Sequence, residues 1–202
     1  MNHLSSDEMT KTVQGIEALR TRFNQEQGTV RVLLLLSPTC SECLRGASEI
    51  KKKVLEKLRD TDVRVYVVWQ PILKSDNVDR VAAATTRLDD PRVSHFWDSK
   101  AELAGEYPGI LRFEDDLPGT DIYSFFRRLL ALYDRLFQCS SALPAWDVYL
   151  LFDRSARWNG EPPTPAFWMH QLTLSKTKRL NGQRFAREVA QLLGEADSQP
   201  VS

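Results

Sequence analysis

The sequence has little of several features that define whole classes of protein. Its 202 residues include only three cysteines, too few for the disulfide framework that stabilises small secreted domains. Basic and acidic residues number 27 each, so no excess of one charge favours nucleic acid or an anionic membrane as a partner. The longest apolar run is far too short to span a bilayer. We therefore expect a globular chain, whose 42% hydrophobic residues suffice for one sizeable core.

The chain also lacks the usual signs of export and of division into parts. Residues 1–8 contain neither the basic region nor the apolar stretch of a secretory signal. No internal repeat and no long linker interrupts the sequence. The sequence therefore predicts a single domain over residues 1–202, located in the cytoplasm, with no nucleic-acid or membrane partner.

The most informative feature present is a CxxC pair, Cys40 and Cys43. It follows the apolar run 32–36 and a short turn at 37–39, and it opens a segment with helical periodicity. At a helix N-terminus, unpaired N–H groups and the helix dipole favour a thiolate at Cys40. Cys43 lies one turn further on, where it can resolve a mixed disulfide inside the protein. The pattern predicts a redox-active dithiol, with two buried small residues or half of a zinc site as the alternatives.

Hydrophobic periodicity and turn residues predict an alternation of strands and helices around this pair. The predicted strands lie at 30–37, 63–69, 93–97, 146–152 and 167–172, and the predicted helices at 7–26, 41–59, 76–88, 100–107, 120–137 and 182–194. The last two strands are close enough in sequence to pair as an antiparallel hairpin with a long loop. Strands that alternate with helices indicate right-handed crossovers and a mainly parallel centre.

This order of elements resembles the thioredoxin fold. The stretch 97–107 is similar to a strand–Asp–helix segment of TlpA-like and peroxiredoxin-like thiol oxidoreductases, and Leu143-Pro144 is similar to the cis-proline element of thioredoxins. The resemblance implies an α/β fold with a central mixed β-sheet flanked by helices. Its core covers residues 28–107 and 141–194, with a helical insertion at about 108–140 before the cis-Pro strand.

The resemblance also implies roles for particular residues. Cys40 is expected to attack a substrate disulfide and Cys43 to resolve the mixed disulfide. Pro144 is expected to pack beside the pair and to help bind an extended substrate backbone, and Trp146 is the tryptophan best placed to line that groove. The implied substrates are disulfides or thiols of proteins or small molecules, and no cofactor is implied.

Two departures from thioredoxins concern the movement of protons. Leu34 stands where thioredoxins carry a buried acid, and Glu42, between the cysteines, is expected to favour the thiol form of Cys40. Asp147 is a candidate proton acceptor in place of the missing acid, because a buried carboxylate near a dithiol would have a raised pKa. An edge position that faces solvent is the alternative for Asp147.

Three further residues have open interpretations. Ser37, three residues before the first cysteine, could replace the threonine of peroxiredoxins, but the residues that follow it do not match that motif, so a peroxidase is the minor alternative. His95 and His170 could complete a zinc site, although both lie in apolar segments typical of core histidines, and we predict no metal. Cys139 could be a second resolving cysteine or a buried small residue.

The apolar segment 120–137 supports a function of a different class. Its apolar residues cover more than one helical face, so such a helix must be buried against its own domain, a partner or a second copy of the chain. We expect Phe125, Phe126, Leu129 and Tyr133 to pack partly against the domain. The rival hypothesis is therefore a non-enzymatic interaction module on a thioredoxin scaffold, with a homodimer as one form.

Overall fold

The computed structural model describes residues 14–116, 143–172 and 174–194. The first part of the predicted helix 7–26, the predicted helix 120–137 and Cys139 lie outside these residues. Within them, no helix is both long enough and apolar enough to cross a membrane.

A five-stranded mixed sheet forms the centre of the molecule. Its strands are β1 (Val30–Leu36), β2 (Val63–Trp69), β3 (Val93–Trp97), β4 (Val148–Phe152) and β5 (Phe167–His170). They lie in the order β3-β2-β1-β4-β5, with β1, β2 and β3 parallel and β4 antiparallel to both β1 and β5. The predicted antiparallel pairing of the last two strands is confirmed. Every residue of β1 is buried, including Arg31, and the apolar run 32–36 is what a strand with two covered faces requires.

Helices cover both faces of this sheet. They are α1 (Ile16–Gln25), α2 (Ser41–Ile50, continued by a π-helical turn over Lys51–Leu55), α3 (Val81–Thr85, between 3₁₀ turns at Val78–Arg80 and Thr86–Leu88), α4 (Glu102–Ile110) and α5 (Gly182–Gly194). Two more 3₁₀ turns span Phe113–Asp116 and Lys176–Lys178. The predicted helix 76–88 is thus a series of short turns.

Alternation along β1 divides the core into two layers. Leu34 and its even-numbered neighbours pack with α2 and α5 in a cluster that includes both described cysteines. Leu33 and Leu35 face the other way, into a cluster with residues of α1 and α4. This mixed sheet between two helical layers, with the CxxC after β1, confirms the predicted α/β class and the thioredoxin-like fold.

Helix α4 is longer than the sequence predicted, and it contains Pro108. We expected the helix to end at Tyr107 and the insertion to begin there, but α4 continues to Ile110. A proline inside a helix leaves the carbonyl four residues earlier without its usual donor. Here the Ala104 carbonyl accepts the backbone N–H of Ala145 at 2.8 Å instead. The proline therefore opens a docking point for the chain just before β4.

The prediction of a cis-proline element at Pro144 is wrong. The described residues contain no cis peptide bond, so the bond between Leu143 and Pro144 is trans. Trans is also the form that an X–Pro bond prefers in isolation. The chain turns at Asp147, whose φ of 55° lies in the left-handed region, and β4 begins one residue later, at Val148 rather than at Trp146.

Candidate dithiol site

The loop that carries the dithiol is fixed by one buried acid, Asp76, which is 5% exposed. Its Oδ1 accepts hydrogen bonds from the Ser37 hydroxyl at 3.0 Å and the Thr39 N–H at 3.1 Å. Its Oδ2 accepts the N–H groups of Ile72 at 3.0 Å and Leu73 at 2.7 Å. Asp76 therefore joins the turns that follow β1 and β2, which places the CxxC at the carboxyl edge of the parallel strands.

Cys40 is the N-cap of α2 and the more accessible of the two thiols. It is 8% exposed, and its Sγ accepts the backbone N–H of Cys43 at 3.4 Å. A hydrogen bond from the Cys43 side chain, followed by that backbone N–H, holds the pKa of Cys40 below its ordinary value despite burial. Both cysteines are free thiols. A helix N-terminus that donates to sulfur is the setting in which a thiol becomes nucleophilic.

Cys43 has the opposite properties. It is fully buried, and this burial, together with the hydrogen bond to Cys40, raises its pKa well above the ordinary value. The pair is therefore asymmetric, with an activated outer thiol and an inner thiol that keeps its proton.

Glu42 does not prevent a lowered pKa at Cys40, and its own effect on that thiol stays a prediction. The Glu42 side chain is exposed and forms a salt bridge with Arg45. The backbone N–H of Glu42, in contrast, contributes to the lowered pKa of Cys40.

Asp147 lies beside the dithiol and not at a solvent-facing edge. It is 3% exposed, and one carboxylate oxygen and the two sulfur atoms lie within 4.8 Å of one another. Burial raises the pKa of Asp147, and hydrogen bonds to it act in the opposite direction. The left-handed turn at Asp147 places the carboxylate next to the cysteines just before β4 begins. A buried carboxylate therefore lies beside the dithiol, at the turn that leads into β4.

Two side chains hold this carboxylate. The Tyr149 hydroxyl donates to Asp147 Oδ1 at 2.7 Å, and Gln171 Nε2 donates to the same oxygen at 2.9 Å. Gln171 Nε2 also reaches the backbone carbonyl of Glu42 at 2.9 Å, between the two cysteines. Strand β4, the residue after β5 and the first turn of α2 therefore meet at Asp147.

Pro144 and Trp146 lie on the segment that leads to Asp147. Pro144 is buried, and Ala145 beside it is bound to α4 through the Ala104 carbonyl. Trp146 is half-buried and packs against the core cluster that contains Cys40. It also packs against a small cluster of Ile72, Ala101 and Ala104, which places its ring at the surface beside the dithiol layer.

Neither histidine joins the site, and Ser37 takes part only through its backbone, which bonds to Cys43 and lowers the pKa of that thiol. His95 accepts a hydrogen bond from Trp69 Nε1 at 3.2 Å, and His170 bonds the Ser175 carbonyl at 3.1 Å. In the described part of the chain, the one group close enough to share a metal ion is Cys40, Cys43 and Asp147, without either histidine. The Ser37 hydroxyl donates its hydrogen bond to Asp76.

Sequence reasoning did not identify Tyr149, Gln171 and Gly46 as members of the site. Tyr149 lies two residues after Asp147, and this spacing places side chains on one face of a strand. Gly46 is a glycine inside a helix, a signal of close approach by another group. No local signal indicates Gln171, because only the pairing of β4 with β5 brings it to Asp147.

Comparison with known proteins gave likenesses of structure alone. No protein-family model matches the sequence, and no curated protein matches it. A secreted Mycobacterium tuberculosis disulfide oxidoreductase homologous to E. coli DsbE is 10% identical, over 93% of this chain and 99% of that one, with a TM-score of 0.45. A thioredoxin family thiol:disulfide interchange protein from Chlorobium tepidum is 10% identical, over 84% and 83% of the two chains, with a TM-score of 0.47. Copper-bound ScoI from Arabidopsis thaliana is 12% identical, over 85% and 88%, with a TM-score of 0.44. At such low values the fold rests on the chain's own strand order and helix positions, and these are thioredoxin-like.

Proposed function

We propose that this protein is a thiol–disulfide oxidoreductase in which Cys40 attacks and Cys43 resolves. The observation that carries the proposal is the asymmetry of the pair. Cys40 caps a helix with a lowered pKa and some exposure, whereas Cys43 is fully buried with a raised pKa. An outer nucleophile and an inner, protected thiol are what two-step exchange requires.

In the first step, the Cys40 thiolate attacks one sulfur of a substrate disulfide. The substrate S–S bond breaks, a mixed disulfide with Cys40 forms, and the other substrate sulfur leaves as a thiolate that takes a proton from water. In the second step, Cys43 loses its proton and attacks Cys40 Sγ. The mixed disulfide breaks, the second substrate thiol leaves, and the protein holds a Cys40–Cys43 disulfide. A dithiol donor returns the pair to the reduced form.

Asp147 is proposed as the acceptor of the Cys43 proton. The second step needs the thiolate of Cys43, whose pKa is well above its ordinary value. Asp147 is the described carboxylate that lies within 4.8 Å of both sulfur atoms. Its own raised pKa makes it a better base than an exposed aspartate. Pro144 and the half-exposed Trp146 are the proposed contacts for a protein or small-molecule substrate.

The test uses dithiobis(nitrobenzoate), a disulfide whose reaction releases coloured thionitrobenzoate. All variants carry Cys139→Ala, because a third thiol would add its own signal. With the reduced pair intact, we expect one equivalent of thionitrobenzoate from attack by Cys40 and a second from resolution by Cys43. Cys43→Ala should release one equivalent and keep a covalent adduct at Cys40, visible as added mass. Cys40→Ala should react far more slowly, because Cys43 is buried.

Two outcomes would overturn this assignment. Equal trapping by Cys40→Ala would show that the roles of the cysteines are not as proposed. No catalysed reduction of a protein disulfide in the presence of a dithiol donor, by a protein whose thiols are intact, would favour the non-enzymatic interaction module.

A further inference from the structure

We propose that Tyr149 and Gln171 are positioning residues that hold Asp147 against the dithiol, and that Gly46 provides the space in α2 that they occupy. This inference rests on the proposed function. It states that the second step of exchange depends on the hydrogen-bonded network of Asp147, Tyr149 and Gln171, and not on Asp147 alone.

The first argument is that both side chains converge on one oxygen. Tyr149 Oη and Gln171 Nε2 lie 2.7 and 2.9 Å from Asp147 Oδ1, and 3.1 Å from each other. Asp147 and Gln171 are joined through the backbone as well, since the Gln171 N–H donates to the Asp147 carbonyl at 3.0 Å. With Oδ1 fixed in this way, the position of the carboxylate relative to the sulfur atoms is set by two strands.

The second argument is that the same network is hydrogen-bonded to the backbone between the two cysteines. Gln171 Nε2 lies 2.9 Å from the Glu42 carbonyl, in the first turn of α2. The amide therefore joins the acid to the backbone between Cys40 and Cys43. A proton acceptor and a thiol keep a fixed relative position when both are bound to the same group, and here Gln171 binds both Asp147 and the backbone next to Cys43.

The third argument is the space at Gly46. A Cβ atom added there would overlap the Tyr149 hydroxyl and would lie 2.6 Å from Gln171 Nε2. Real Cβ atoms do not approach other atoms this closely, so the tyrosine and the glutamine reach Asp147 only because this position has no side chain. A glycine in a helix interior is otherwise unfavourable by about 1 kcal/mol relative to alanine.

The network also sets the charge state of the acid. Hydrogen bonds from Tyr149 and Gln171 lower the pKa of Asp147 against the larger effect of burial. The other charged or titratable groups that face it are on α2: Cys40 and Cys43, the Glu42 carboxylate, which raises the pKa of Asp147, and Arg45, which lowers it. Loss of either donor should therefore raise the pH above which Asp147 can accept a proton.

The experiment follows the two releases of thionitrobenzoate against pH by stopped flow, with Cys139→Ala in every variant. In Tyr149→Phe and in Gln171→Met we expect the midpoint of the second phase to move up by about 1 pH unit, since a hydrogen bond to a charged group is of that size. At pH values below the midpoint the second phase should slow by about tenfold. The first phase, which depends on Cys40, should change by less than about twofold.

Tyr66→Phe is the matched control. Tyr66 is also a buried tyrosine whose hydroxyl donates to a carboxylate, that of Glu26, but it lies in the core layer on the opposite face of the sheet. Its removal should leave both phases and both midpoints unchanged. A loss of folding in Tyr149→Phe would show as a changed first phase, and Gln171→Met then carries the test.

The inference is overturned if Tyr149→Phe and Gln171→Met both keep the wild-type pH midpoint of the second phase. This holds even if the second phase becomes slower, as long as it slows equally at every pH. It is also overturned if Tyr66→Phe moves the midpoint as much as they do. Absence of a second phase in the parent protein would instead refute the proposed function, so the two failures are distinguishable.

Discussion

At the scale of the residue, Asp147 interacts electrostatically with both thiols of the pair. Its negative charge raises the pKa of Cys40 and of Cys43, and its own pKa is raised because it is buried. Such groups titrate as a coupled set, since ionisation of one opposes ionisation of the others. Removing the charge should lower both thiol pKa values, but it also removes the proposed acceptor of the Cys43 proton, so the two steps of exchange should respond differently.

We predict this for Asp147→Asn. The second release of thionitrobenzoate should slow by about 10²-fold near neutral pH, because the Cys43 proton loses its acceptor. The first release should stay the same or become slightly faster, because the charge that raises the pKa of Cys40 is gone. Two-phase kinetics in the absence of Cys139 measures both effects. A second phase of unchanged rate would show that the proton goes directly to water.

At the scale of the element, helices α2 and α4 differ in what surrounds a glycine in the interior of the helix. Gly46 faces the tyrosine and glutamine of the site, whereas nothing lies within 4 Å of a Cβ atom added at Gly105. Helix propensity acts equally at the two positions, so it cannot separate them. Steric contact does distinguish them, because other side chains occupy the space beside Gly46 and none occupies the space beside Gly105.

We therefore predict opposite effects for two identical changes. Gly105→Ala should leave the free energy of unfolding unchanged or raise it by up to about 1 kcal/mol. Gly46→Ala should lower it by about 1–3 kcal/mol, because the added methyl group forces Tyr149 and Gln171 to move. Urea denaturation of the reduced proteins measures both values. Equal effects at the two positions would show that α2 can shift away from the sheet without penalty.

At the scale of the whole molecule, acid should destabilise the fold through its histidines. His95 Nδ1 accepts a hydrogen bond from Trp69, and burial lowers the pKa of His95 from 6.5 to about 4. A doubly protonated ring would place an N–H against the indole N–H. The pKa of His170 is lowered in the same direction, also because of burial.

We predict that stability falls as pH decreases from about 6.5 towards 4. A group whose folded pKa is depressed stabilises the fold above its unfolded pKa, and this contribution is lost as pH falls through the folded value. For His95 the loss is on the order of 2–3 kcal/mol. Asp147 acts in the opposite sense, because its folded pKa is raised. His95→Leu should lose less stability than the parent between about pH 7 and pH 4.5 in urea titrations, whatever its absolute stability. Parallel losses in the two proteins would contradict the prediction.

The sequence by itself determined the parts of this protein that depend on local pattern. The apolar run of five residues at 32–36 predicted a buried strand, and a cysteine pair between that run and a helical period predicted a helix N-terminus. The pairing of β4 with β5 followed from their closeness in the chain. These features predicted the fold class and Cys40 and Cys43 as the candidate dithiol.

Only the tertiary structure decided which groups surround the dithiol. Asp147 was equally consistent with a solvent-facing edge until the left-handed turn and the neighbouring strand placed it against Cys43. Pro108 predicted the end of a helix, but the docking of Ala145 on the freed carbonyl allowed the helix to continue. Gln171 lies 24 residues from Asp147 in the chain, and no local period connects them. Contacts over such distances depend on how strands pair and helices pack, which neighbouring residues in a sequence do not encode.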